Sequence, residues 1–155
     1  MKKILYYLLT VPMLGLISCD SNKIPDVDIV ATFDGGTQVD DLYYVVQGDE
    51  LQVTGIHVVN DDIQASIGNV TYYWDYTPIG ISTTAPYALN ISTDEVSIGY
   101  HILTAEMPVY AVGYSISSGF MAKKIVVVAD YDDIPTDSTP GDTNTHATLQ
   151  EGDIR

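Results

Sequence analysis

Few residues of this chain have the chemistry of a catalytic group. The chain has three histidines, His57, His101 and His146, and one cysteine, Cys19. It contains no Gly-x-Ser-x-Gly nucleophile elbow, no phosphate-binding Gly-x-x-x-x-Gly-Lys loop and no His-Glu-x-x-His zinc motif. The sequence therefore predicts a protein that is not an enzyme, has no catalytic residue and needs no cofactor.

Tyrosine is the residue type that stands out, with ten of the twelve tyrosines following Cys19. In the strand pattern at 70–76, neighbouring side chains point to opposite faces, so Tyr72 inward places Tyr73 and Asp75 outward. An exposed tyrosine ring beside a carboxylate can hold a sugar by stacking and hydrogen bonding. The pattern predicts a ligand-binding site at Tyr73, Asp75 and Tyr76. The alternative is that tyrosine simply favours half-exposed strands.

Carboxylates occur in clusters at Asp40-Asp41, Asp61-Asp62 and Asp130-Tyr131-Asp132-Asp133. Such oxygen ligands suit calcium, but none has the EF-hand spacing with its central glycine. Solvated acidic turns are the favoured interpretation, and no metal site is predicted.

Removing Lys2 and Lys3 with a signal segment leaves four basic residues against 21 acidic ones, a net charge of −17. This balance argues against nucleic acid and against an anionic membrane face as partners.

The amino terminus has the three parts of a secretory signal: basic Lys2-Lys3, an apolar run at 4–17, and small Ser18 before Cys19. The run is too short to span a bilayer, which needs about 20 residues. Leu16-Ile17-Ser18-Cys19 resembles the lipobox of bacterial lipoproteins. The resemblance implies cleavage before Cys19, lipidation of its thiol, and an outer-membrane address in the cell envelope. The alternatives are a buried residue of a signal anchor or an incidental free thiol.

Composition divides the remainder into four segments. Residues 1–18 are the signal peptide, 19–26 a lipidated tether, 27–132 one domain, and 133–155 an acidic tail rich in Pro, Thr and Asp. Because the tail has few apolar side chains to bury, it is predicted to be disordered. The domain has no cysteine, so an ordinary hydrophobic core must hold it without disulfides.

Strand patterns dominate the domain. Val27, Ile29, Ala31 and Phe33 alternate with Asp28, Val30 and Thr32, and similar segments follow at 42–46, 51–60, 70–76, 87–91, 99–114 and 122–129. The phase of one segment changes at Gly55, which predicts a β-bulge, and Pro108 is expected to interrupt another. The pattern predicts an all-β fold, an antiparallel immunoglobulin-like sandwich of seven or eight strands.

The segments 70–89, 99–105 and 125–128 resemble bacterial immunoglobulin-like repeats: an aromatic strand, a polar turn, Ile-Gly, a Ser/Thr run, Pro-aromatic, and then Gly-x-His. The resemblance implies that Trp74 is a core residue and that His101 packs or hydrogen-bonds locally. It also implies a spacer, adhesive or ligand-presenting module.

Two functions remain open. One is a non-catalytic, lipid-anchored module that recognises a glycan or a protein of the envelope or the host. The other is a structural accessory or spacer subunit that docks on an outer-membrane complex through a sheet edge. Exposed aromatic residues on a sheet face favour the first, and a flat, unprotected edge strand favours the second.

Overall fold

The computed structural model describes residues 23–60 and 62–136 and the backbone of 145–147. Cys19, the signal segment and the lipid anchor lie outside these residues. Within them the chain forms eleven strands and one short 3-10 helix at Tyr131–Asp133. The strands are β1 (Asp28–Asp34), β2 (Thr37–Val39), β3 (Leu42–Val46), β4 (Glu50–Val59), β5 (Ala65–Ile67), β6 (Val70–Trp74), β7 (Thr77–Ser82), β8 (Leu89–Ser92), β9 (Gly99–Ala111), β10 (Ser117–Val128) and β11 (Thr145–Ala147). No helix among the described residues is long and apolar enough to cross a membrane.

The strands form two sheets. The smaller sheet has the order β11-β1-β4-β8, and the larger has β2-β3-β10-β9-β6-β7 with β5 also paired to β9. Strands β1, β4 and β8 therefore face β10, β9 and β6, which is the arrangement of an immunoglobulin-like sandwich. The predicted all-β sandwich is confirmed, with eleven strands instead of seven or eight.

Two details differ from the expected pattern and a third agrees with it. Strand β3 pairs with β10 in parallel, so the larger sheet is mixed, because the chain crosses between sheets at Gly35-Gly36 before it forms β3. Pro108 does not interrupt β9, which continues to Ala111, and the Pro108 carbonyl accepts a hydrogen bond from the Gly68 N–H at 2.9 Å. The predicted bulge is confirmed, because Thr32 pairs with Gly55 and Phe33 with Val53.

The core lies between the sheets and is built from the inward residues of both. Tyr72, Leu103 and Ile125 of the larger sheet and Ile29 and Leu51 of the smaller sheet are fully buried. Trp74 is partly buried and packs against this cluster, at the place that the immunoglobulin resemblance implies. Hydrophobic burial therefore holds the sandwich without covalent cross-links.

One short strand follows β10 and the 3-10 helix in the sequence. Strand β11, within the expected disordered tail, pairs with Ile29, Val30 and Ala31 of β1. Pairing at a sheet edge needs backbone hydrogen bonds rather than apolar side chains, which is why composition does not reveal it. Residues 137–144 and 148–155 lie outside the described residues.

Candidate recognition surface

The loop between β6 and β7 is a two-residue turn made of Asp75 and Tyr76. Trp74 pairs with Thr77 across it, and both central residues have positive φ, 47° and 69°. Such type I′ hairpin turns favour Asn-Gly or Asp-Gly because the second residue needs a left-handed backbone. A tyrosine there is strained by roughly 1 kcal/mol. The sequence therefore places a bulky aromatic residue where glycine would fit better.

Asp75 fastens this turn to β9. Its backbone N–H donates to the Ile102 carbonyl at 3.0 Å, and its Oδ1 accepts from the Ile102 N–H at 2.9 Å. Its Oδ2 lies 2.5 Å from His101 Nδ1. Desolvation acts to raise the pKa of Asp75, but the hydrogen bonds from His101 and from the Ile102 N–H outweigh it, and the pKa is lowered. The carboxylate is therefore occupied by its own protein.

His101 is buried beneath the turn, and both of its ring nitrogens face acceptors. Nε2 donates to the Ser97 carbonyl at 2.8 Å, and Nδ1 faces the Asp75 carboxylate. The Trp74 indole packs on the ring with centroids 5.2 Å apart, its Nε1 being 3.2 Å from Nδ1. In a catalytic triad the second nitrogen would reach a nucleophile. Here it is bonded to a backbone carbonyl, which is a structural arrangement.

The three residues predicted to bind a ligand do not form one outward-facing set. Tyr73 lies on the outer face of β6, and its hydroxyl donates to Glu106 Oε2 at 3.3 Å. The Asp75 carboxylate bonds to His101 and to the Ile102 N–H of β9, although its side chain is 46% exposed. Tyr76 stands at the tip, 81% exposed, and its side chain makes no hydrogen bond or ring contact within the described part of the chain. Two of the three side chains therefore remain available to a ligand.

The structure adds aliphatic residues that sequence reasoning missed. Gly80 faces inward, because a Cβ there would lie 2.8 Å from the Leu89 side chain, so its neighbours Ile79 and Ile81 face outward and are exposed. On β9, buried His101 and Leu103 place Tyr100 and Ile102 outward, with Tyr100 76% exposed. We define the outer patch as Tyr73, Ile79, Ile81, Tyr100 and Ile102 on the outer face, together with Tyr76 at the tip. All of these except the half-buried Tyr73 are exposed.

The outward positions of Ile79 and Ile81 can be predicted from the sequence. Pro78, Gly80 and the Ser/Thr run by themselves favour a turn-rich segment at 78–84. The alternation Ile79-Gly80-Ile81 immediately after a two-residue turn is instead typical of the returning strand of a hairpin. Strand β7 is the result, and it lies at an edge of the larger sheet, where proline is tolerated.

A cleft of about 290 Å³ lies elsewhere, between the β1–β2 turn, β3 and the 3-10 helix. Tyr44, Asp49, Glu50 and Tyr131 line it, and no basic side chain does. The Tyr131 hydroxyl donates to Asp49 Oδ2 at 2.5 Å and so occupies one carboxylate oxygen. The cleft is at the lower limit of the size typical of small-molecule sites.

Within residues 23–60 and 62–136, no group of three or more His, Cys, Asp or Glu side chains is arranged to hold a metal ion. Comparison of the chain with protein-family models, with curated proteins and with solved structures found no match.

Proposed function

We propose that this chain is a lipid-anchored, non-catalytic binding module of the bacterial cell envelope, and that it recognises a protein ligand through the outer patch. The observation that carries the proposal is Tyr76. Its left-handed backbone is strained, its side chain makes no hydrogen bond or ring contact within the described residues, and it stands at the tip of a hairpin fastened by Asp75. Strain held without a structural benefit is typical of a functional position.

The composition of the outer patch supports a protein ligand over a glycan. Ile79, Ile81 and Ile102 offer apolar area and no hydrogen bonds, whereas a sugar needs directed polar groups beside an aromatic ring. The Asp75 carboxylate, the polar partner that a glycan site would need, is held by His101 and Ile102. Tyrosine beside aliphatic residues is typical of the centre of a protein interface.

The sheet edges give weaker support to the alternative, a spacer subunit that docks by strand addition. The terminal strands β2, β8 and β11 have three, four and three residues. The longer edge strand β7 contains Pro78, which removes a backbone donor. Short edges and an edge proline are devices that discourage strand addition.

Photo-crosslinking in intact cells tests the binding surface. A benzophenone amino acid at Tyr76 or Ile81 is expected to give a discrete adduct with an envelope or host protein, while the same group at His57 gives none. His57 is the matched control because it is exposed on the smaller sheet. Equal adducts from all three positions, or none at all, would contradict the proposed surface.

The anchor and the side of the membrane need separate measurements. Cys19→Ser is expected to abolish acyl labelling and to leave an uncleaved or soluble chain. Undiminished labelling of that variant would overturn the anchor. Protease treatment of intact cells, with a periplasmic protein as control, then determines whether 27–132 faces outward.

A further inference from the structure

The two ends of the sandwich differ in what they present. Strand β9 has thirteen residues and spans roughly 40 Å at 3.3 Å per residue. The Asp75-Tyr76 turn bonds to Ile102 near its start, whereas the loop 112–116 follows its end. The hairpin tip and the 112–116 loop therefore lie at opposite ends of the larger sheet.

The chain enters the domain at the second of these ends. The Ser115 N–H donates to the Lys23 carbonyl at 3.2 Å, which holds the first described residue against the 112–116 loop. Val27 is buried a few residues later and fixes the direction of entry. The first described residue of the chain therefore lies beside this loop.

The loop itself is unusually apolar for a surface turn. Val112 is 74% exposed and Ile116 71%, and Ile24 of the entering chain is also exposed. Residues 107–122 contain no charged side chain. Turns between strands normally carry polar residues. Gly113, whose φ is 86°, supplies the left-handed backbone that reverses the chain, so the turn itself does not require apolar side chains at 112 and 116. We call Ile24, Val112 and Ile116 the apolar end.

The distance to the anchor is short. Cys19 precedes Lys23 by four residues, which reach at most about 14 Å when fully extended. Acyl chains on Cys19 would lie in the bilayer, so the apolar end would be held within that distance of the lipid surface. At such a distance exposed apolar side chains meet the headgroup and acyl boundary, where their burial is favourable.

We infer that the apolar end rests on the lipid bilayer and holds the sandwich upright, with the outer patch's Tyr76 directed away from the membrane. This inference depends on the proposed lipidation of Cys19. The contact is apolar, so it needs no anionic lipid and agrees with the acidic net charge of the chain. Such a contact gives the domain a defined orientation on the membrane, because acyl chains hold one point and the side chains of the apolar end hold a second.

Single cysteine labels on the full lipidated chain test the orientation. After acylation of Cys19 the mature chain has no other cysteine, so Ile116→Cys and Tyr76→Cys each carry one environment-sensitive fluorophore. The probe surface is phosphatidylcholine vesicles with a quencher on the acyl chains. The label at 116 is expected to shift to shorter wavelength and to be quenched several-fold more than the label at 76. Equal quenching at the two positions would overturn the inference.

Flotation of the labelled protein with the vesicles separates the two proposals. A chain that fails to float contradicts the lipid anchor, whereas a chain that floats while the label at 116 stays aqueous contradicts only the orientation. The double variant Val112→Ser, Ile116→Ser gives a second readout, because both residues are exposed and the fold should not change. Energy transfer from the label at 76 to a lipid acceptor is expected to rise in this variant as the sandwich tilts. Unchanged transfer would count against the inference.

Discussion

Tyr76 and Tyr87 both hold a left-handed backbone, with φ of 69° and 64°. Tyr87 is half-buried against the core, its hydroxyl donates to the Ile67 carbonyl at 2.8 Å, and its own carbonyl accepts from the Tyr72 hydroxyl. Tyr76 is exposed and makes none of these contacts. The strained residue of one turn is therefore supported by its own packing and hydrogen bonds, whereas the Tyr76 turn is held by its neighbour Asp75 and the Tyr76 ring itself stays exposed. For this reason we assign a structural role to Tyr87 and propose a binding role for Tyr76.

Among the variants that test this comparison, Tyr87→Ala is expected to have the largest effect on stability. It removes a ring that packs on the core and a hydrogen bond to a backbone carbonyl, so the free energy of unfolding should fall by about 3 kcal/mol. Urea unfolding followed by Trp74 fluorescence measures the change. Tyr76→Ala is the matched control and should change stability by less than about 0.5 kcal/mol. Similar losses in the two variants would remove the distinction between the turns.

Tyr72→Phe tests the hydrogen bond that supports the Tyr87 turn. It keeps the buried ring and removes only the hydroxyl that donates to the Tyr87 carbonyl, so the expected loss is about 1–2 kcal/mol. Burial also raises the pKa of Tyr72. The folded state therefore keeps this proton where the unfolded chain releases it, and wild-type stability should decline as the pH rises above about 10. A pH series in which Tyr72→Phe declines as steeply as the wild type would contradict the assignment.

Tyr76→Gly separates stability from binding. Glycine suits the left-handed position, so the free energy of unfolding should rise by about 1 kcal/mol, while the crosslinking partner's affinity should fall because the exposed ring is lost. Tyr76→Phe serves as the control that keeps the ring. A variant with glycine that is more stable and binds as well as the wild type would show that Tyr76 has no part in recognition.

Local alternation in the sequence predicts which side chains of a strand face the core and where a strand changes phase. Tyr72 inward and Tyr73 outward, and the bulge at Gly55, follow from a period of two and a change of phase. Local alternation does not predict contacts between residues that are far apart in the chain. The alternation places Asp75 outward, and its side chain is 46% exposed, but His101, 26 positions away, and the Ile102 N–H also bond to its carboxylate. Nothing local to Asp75 reveals these partners.

Lys123 shows the same limit in the core. Alternation with Met121 and Ile125 assigns position 123 to the inner face, where an apolar residue would be expected. Its side chain is only 4% exposed, and its Nζ reaches Gln38 Oε1 at 3.1 Å beside the rings of Phe33 and Tyr43. Burial lowers the pKa of Lys123. The long apolar stem makes this burial tolerable, and only the folded neighbours provide the acceptor.

The smallest expected effect comes from Asp75→Asn, which tests the contact between the Asp75 carboxylate and His101. Asparagine tolerates the left-handed backbone, and its Oδ1 can still accept from the Ile102 N–H, so the change removes the negative charge and the second acceptor oxygen that faces His101 Nδ1. Because the pKa of Asp75 is lowered on folding, its contribution is present above about pH 4 and is lost as the pH falls through the lower folded value. Half of the side chain is exposed to solvent, so the loss at neutral pH should be a few tenths of a kcal/mol. Unfolding measured between pH 2 and 7 should show a shallower acid limb for Asp75→Asn than for the wild type, and identical limbs would mean that backbone geometry alone holds the turn.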